Sequence, residues 1–163
     1  DQLLVAPYTP GEILLGKGTA SVITGIIQAV FVVLVAMFWF RIPFQGSIWL
    51  LSAALLLFIV TAAAIGLCIS SFAQSLQQAI VGTFLLLVPM VMLSGFATPI
   101  SSMPEIFQSL TLLNPMRYGL ELIQRIFLEG AGFLDLWPLF AAIMAVTVVA
   151  VLAAVFSFHH KIS

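Results

Sequence analysis

The sequence predicts an all-α membrane protein: four transmembrane helices, an amphipathic segment ahead of the first, and a pair of re-entrant or interfacial helices between the third and fourth. The 163 residues are 63% hydrophobic and only 7% charged, whereas an ordinary soluble domain is about 25% charged. With a mean hydropathy of +1.25, there is too little polar surface to cover a globule in water, so apolar surface must face lipid. The charges are also clustered. Between Arg41 and Glu105 there is no Asp, Glu, Lys or Arg, a stretch long enough for two spans of about 20 residues each.

The chain opens on "DQLLVAPYTPGEILLGK". Thr9, Pro10 and Glu12 stand at the N-cap, first and third positions of a capping box, where the Thr and Glu side chains satisfy backbone donors that a helix start leaves orphaned. A helix is therefore expected from Pro10 through Lys17 into the first span, 18–40. Residues 1–17 form the amphipathic segment, with "DQLLVA" as the end of a separate short helix and Pro7-Tyr8 as an elbow. Trp39 suits a membrane interface, and Arg41-Ile42-Pro43 ends the helix because the residue before a proline avoids the helical region.

The second span is expected at 47–70 and the third at 78–97, joined as antiparallel neighbours by the polar turn "SFAQSLQ". Ala62, Gly66 and Ser70 recur at spacing four and form a close-packing face, for another helix of the same chain or for a second copy. Pro89, flanked by Gly82 and Gly95, removes a backbone hydrogen bond and kinks the third helix. The fourth span is expected at 136–158, entered through Trp137-Pro138 and closed by "HHKIS".

Residues 98–132 differ in character. "SSMPE" reads as a helix start with Ser102 as cap, Pro104 in the first turn and Glu105 at the capping-box position. Asn114-Pro115 caps a second helix that Gly130 ends. Along it Arg117, Glu121, Arg125 and Glu129 alternate in sign at spacing four, beside an apolar stripe of Met116, Leu120, Ile123 and Phe127. A helix so patterned lies in the membrane interface or dips into it; a solvated outer loop carries the same pattern.

The composition excludes several classes. Five Lys and Arg and a net charge of -1 leave no basic patch, so no nucleic-acid partner is expected. Cys68, the single cysteine, lies in an apolar run and reads as a small buried hydrophobe. Apart from it no ionisable group sits mid-span, as proton-coupled transport or intramembrane catalysis requires. His159 and His160 read as a pair at a helix end, because two adjacent imidazoles without further ligands rarely hold a metal. Gly11 to Lys17 matches G-x-x-x-x-G-K, yet a phosphate-cradling loop needs a strand before it and a soluble helix after it. Here Ile13-Leu14-Leu15 fills the interior and a membrane span follows. No catalytic residue, metal or cofactor on this chain is expected.

Two blocks, "QLLVAPYTPGEILLGK" and "LSGFATPISSMPEIFQSLTLLNPMRYGLELIQRIFLEG", resemble the permease subunit of ABC-2 type transporters, in the bacterial drug-exporter-like branch. The resemblance covers the whole chain. It implies the C-terminal portion of such a subunit, since similar permeases carry a first span, an external domain and a second span upstream; a start at Asp rather than Met fits that. It also implies an ATP-driven exporter of a hydrophobic or amphipathic substrate in the bacterial plasma (inner) membrane. ATP and Mg would bind a separate ABC ATPase subunit, and a second permease subunit would complete a homodimer or related heterodimer. The family's coupling helix, which docks on the ATPase, maps to Gln2, Leu3, Leu4 and Pro7, with Glu12 close by. Its re-entrant helices map to Pro104 through Glu129, with Pro104, Asn114, Pro115, Arg117, Glu121 and Arg125 as landmarks. Phe84, Met90, Met92 and Phe96 are candidates for the substrate path, although lipid-facing packing explains them equally well. The resemblance implies that the 1–17 coupling segment and both termini are cytoplasmic, with Arg41 and the re-entrant helices of 98–132 external; counting Lys17 and Lys161 against Arg41, Arg117 and Arg125 points away from that orientation on the positive-inside rule, so it rests on the resemblance. The rival from another class is a non-transporting membrane scaffold or assembly factor.

Overall fold

The computed structural model describes residues 9–162. Among the described residues there is no strand. Within the same residues six α-helices follow one another: α1 (Pro10–Leu34, continued by a π-helical turn Val35–Trp39), α2 (Ile48–Phe72), α3 (Leu76–Met92), α4 (Glu105–Thr111), α5 (Pro115–Gln124, continued by a π turn Arg125–Glu129) and α6 (Phe133–Ile162). Three are long and apolar enough to cross a membrane: Pro10–Trp39, Ile48–Phe72 and Phe133–His160.

Local chemistry explains the helix starts. At α1 the capping box is present, with the Thr9 N–H donating to Glu12 Oε2 at 2.7 Å. At α3 the Ser75 hydroxyl accepts from the Gln78 N–H at 3.2 Å, while the Gln78 side chain reaches back to the Gln74 N–H at 2.9 Å. The helices on either side thus run further into "SFAQSLQ" than 70 and 78.

The third apolar helix is shorter than expected. It ends at Met92 instead of 97 and has 17 residues, about 26 Å at 1.5 Å per residue against a hydrocarbon core of about 30 Å. Pro89 removes one helical donor, and Gly95 takes a left-handed φ of 88°, so the chain turns away where a straight helix would have continued. The fourth long helix begins earlier than 136, at Phe133, and carries Pro138 inside it.

The core lies where α2, α5 and α6 meet, around Leu51, Ala54, Leu122, Ile126, Leu136 and Ile143. Deeper along α2 and α6 the hydroxyls of Thr61 and Thr147 lie 2.6 Å apart, buried. Half-buried Cys68 lies nearby, its Sγ 3.9 Å from the Ala150 carbonyl. Neither α1 nor α3 has a buried residue. Lys17 Nζ sits 6.0 Å from the Phe158 ring, so the start of α1 and the end of α6 share one end of the bundle. Trp39, Trp49 and Trp137 are exposed at the opposite end, where an aromatic belt marks a membrane interface.

Candidate functional site

At the Lys17 end, α1 starts abruptly. The Thr9 N–H bonded to the Glu12 carboxylate holds that group below the usual carboxylate range. Of the expected coupling residues only Glu12 can be placed; Gln2, Leu3, Leu4 and Pro7 lie outside the described residues. From Pro10 the helix runs to Trp39 without a break, about 45 Å of rod.

At the other end the rod is fastened to α5. The π turn Val35–Trp39 is closed by Arg41, which takes φ 53°, and by the Ile42 N–H donating to the Ala36 carbonyl at 3.1 Å. The π turn Arg125–Glu129 closes in the same manner, with Gly130 at φ 65° and the Ala131 N–H on the Arg125 carbonyl at 3.2 Å. The loop after α1 lies across this second turn. The Gln45 N–H donates to the Phe127 carbonyl at 3.1 Å, and the Phe44 and Phe127 rings meet edge-on at 5.1 Å. Gly46 lies so close that a Cβ there would come under 3.0 Å from the Ile126 carbonyl oxygen, and a Cβ on Gly130 would fall 2.8 Å from the Gln45 oxygen. Two glycines thus let two backbones touch.

α5 is packed inside the bundle. Its buried row is Pro115, Gly119, Leu122 and Ile126. This buried row is offset from the apolar stripe: Met116, Leu120 and Ile123 are only half-buried, and Phe127 alone of the four is buried. The row turned because Gly119 sits against Phe58 of α2, where a Cβ would fall 2.5 Å from the ring. Pro115 and Met116 share a cavity of about 300 Å3 with Thr61, Ile65 and Gly66, midway along α2. α5 therefore runs alongside α2, from the level of Thr61 at Pro115 to the level of Gly46 at Ile126.

Asn114 fixes the start of α5. Its Oδ1 accepts from the Met116 N–H at 3.0 Å, and its Nδ2 donates to the Met90 carbonyl at 2.7 Å. One side chain thus caps α5 and occupies a carbonyl in the last turn of α3, which helix ends leave open. Ser102 is not the cap of α4 as expected. It lies in a 3-10 turn, Ile100–Ser102, and Pro104 takes the cap position. The alternating charges also divide unevenly. Arg125 pairs with Glu121 at 3.9 Å and with Glu129 at 3.5 Å, both at the surface, where such pairs contribute about 0–1 kcal/mol. Arg117 turns instead to Thr111, its Nη1 donating to Oγ1 at 2.6 Å, and its Nε is buried without a partner among the described residues.

Of the four path candidates, Phe84, Met92 and Phe96 are exposed on or beyond α3, and Met90 alone lines the 300 Å3 cavity. Among the described residues no group of three or more His, Cys, Asp or Glu could hold a metal. The contact between Gln45-Gly46 and Ile126-Phe127 escaped sequence reasoning; Gly46 two residues before a helix was its only trace.

Residues 1–128 match the family model described as ABC-2 type transporter. The chain belongs to the ABC-2 type transporter family. It is 32% identical over 162 residues to the probable multidrug ABC transporter permease YbhR of Escherichia coli K12, covering 99% of this chain and 44% of that protein. It is 36% identical over 149 residues to the inner membrane transport permease YhhJ of the same organism, covering 90% of this chain and 39% of that one. A shorter match, 34% over 70 residues, is to nodulation protein J of Sinorhizobium fredii, covering 43% of this chain and 27% of that protein. This ABC-2 chain thus spans less than half the length of the curated relatives it matches. No solved structure matches it. Family membership and three apolar membrane-length helices make it a multi-pass membrane protein.

Proposed function

We propose that this chain is part of the transmembrane subunit of an ATP-driven exporter, moving a hydrophobic or amphipathic substrate outward with ATP hydrolysed on a separate ABC ATPase. The observation that supports this most is α1: one unbroken helix, capped at Thr9–Glu12, whose far end is tied through Gln45 and Gly46 to the π turn after α5. A rigid rod fastened at its far end converts a push at its start into movement of the inserted helix pair. The ATPase would deliver that push through the segment preceding Thr9, and ATP and Mg would bind on that partner. A second permease subunit would complete the pathway in a bacterial inner membrane.

Leu3→Asp and Leu4→Asp in the full permease should leave membrane insertion intact and abolish capture of the ATPase, or uncouple its hydrolysis from export. Lys17→Ala should change neither, since Lys17 lies over Phe158 at a helix end. Nucleotide binding by this chain alone, lost in Lys17→Ala, would overturn the proposal. Unchanged ATPase capture by both Asp variants would favour a scaffold. For the orientation, a cysteine at Gln108 should react with an impermeant maleimide from outside and one at Gln74 should not; the opposite pattern would reverse the assignment of sides.

A further inference from the structure

α1 carries one polar side chain that nothing in the fold accounts for. Gln28 lies eleven residues from Lys17 and eleven from Trp39, about 16 Å from each. Between those two interfacial residues it falls at the midplane of a hydrocarbon core about 30 Å thick. Its side chain is exposed, and among the described residues its amide has no hydrogen-bond partner. The other polar groups nearby differ: Thr19, Ser21 and Thr24 donate to the carbonyls of Leu15, Lys17 and Ala20. They need no outside partner, whereas the Gln28 amide offers two donors and an acceptor and is costly to leave in lipid.

Beside Gln28 runs a groove of about 410 Å3 between α1 and α2, bedded on Gly25, Ala29, Ala62 and Ala63. Small residues let a further helix approach closely. Gly25 already meets Ile59 of α2 so tightly that a Cβ would fall 2.6 Å from it, so the α1–α2 wall is firm. An aqueous path fits poorly, because the groove walls are largely apolar and the hydroxyls along α1 are self-satisfied. Lipid fits poorly because hydrocarbon cannot bond the amide. A substantial length of the relatives lies beyond the part this chain matches.

We propose that the Gln28 face of α1 seats a further transmembrane helix of the full permease, one that presents an uncharged hydrogen-bonding side chain (Asn, Gln, Ser or Thr) to Gln28 at the bilayer midplane. The proposal requires only that α1 spans a membrane, and stands or falls independently of ATP-driven export.

The test places a photo-crosslinking amino acid at position 28, and separately at position 24 on the same face, in the full-length permease in native membranes. Mass spectrometry should map the adduct to an apolar helix of the same subunit, within one turn of an Asn, Gln, Ser or Thr. Gln28→Leu should lower the unfolding midpoint of the detergent-purified permease by a few degrees, and Gln28→Asn, which keeps an amide, should lower it less. Adducts to lipid alone, or to a second copy of the subunit, would overturn the proposal. So would rapid labelling of Gln28→Cys by a water-soluble maleimide, or a midpoint that Gln28→Leu leaves unchanged or raises.

Discussion

Gly46→Ala should destabilise this protein by about 3 kcal/mol, the upper end for forcing extra volume into a packed site. The added Cβ would lie under 3.0 Å from the Ile126 carbonyl oxygen. That neighbour is backbone, so no rotamer change relieves the clash, and the same strand of loop holds the Gln45 N–H on the Phe127 carbonyl. The loop must lift, which breaks that bond and parts the Phe44 and Phe127 rings. The unfolding midpoint in detergent should fall by several degrees. Gly132→Ala serves as control: nothing lies within 4 Å of its added methyl, and the midpoint should barely move. If the two variants unfold alike, the loop does not grip the π turn, and α1 has lost the attachment on which the proposed transmission depends. Export should fail in Gly46→Ala even where enough protein folds to be assayed.

Asn114→Ala should cost nearly as much. Loss of the cap on α5 accounts for about 1 kcal/mol, and the Met90 carbonyl left without its donor adds about 1–3 kcal/mol where water cannot replace it. Asn114→Ser separates the two contributions. Serine keeps an oxygen for the Met116 N–H but is too short to hold Met90, so its midpoint should fall between wild type and alanine. A serine variant as stable as wild type would show that the bridge from α5 to α3 contributes nothing. A serine variant as unstable as alanine would show that the cap contributes nothing.

Much of the fold is legible in the residues because its signals are local. Thr9 and Glu12 box the start of α1, Asn114 caps α5, and Gly130 takes the left-handed turn that ends it; each device works within a turn or two of helix. The apolar faces are less legible. Apolar residues three and four apart mark a stripe of Met116, Leu120, Ile123 and Phe127, but Gly119 has no side chain to announce the side on which Phe58 arrives. The end of α3 falls short of the expected 97 because apolar composition continues past Met92 while the backbone turns at Gly95. The spacing of the charges likewise gives no hint that Arg117 turns away from Glu121 to Thr111.

By itself, then, the sequence determined that the chain lives in a membrane and where α1 and α5 begin. Those properties follow from composition and from hydrogen bonds that close within a few residues. Only the tertiary structure decided that the loop after α1 grips the turn after α5, that Asn114 joins α5 to α3, and that Gln28 faces outward with its amide unmet among the described residues. The first two are contacts that join segments far apart along the chain. Backbone touching backbone through glycine, or an amide meeting a carbonyl at a helix end, leaves no periodic mark in the order of residues.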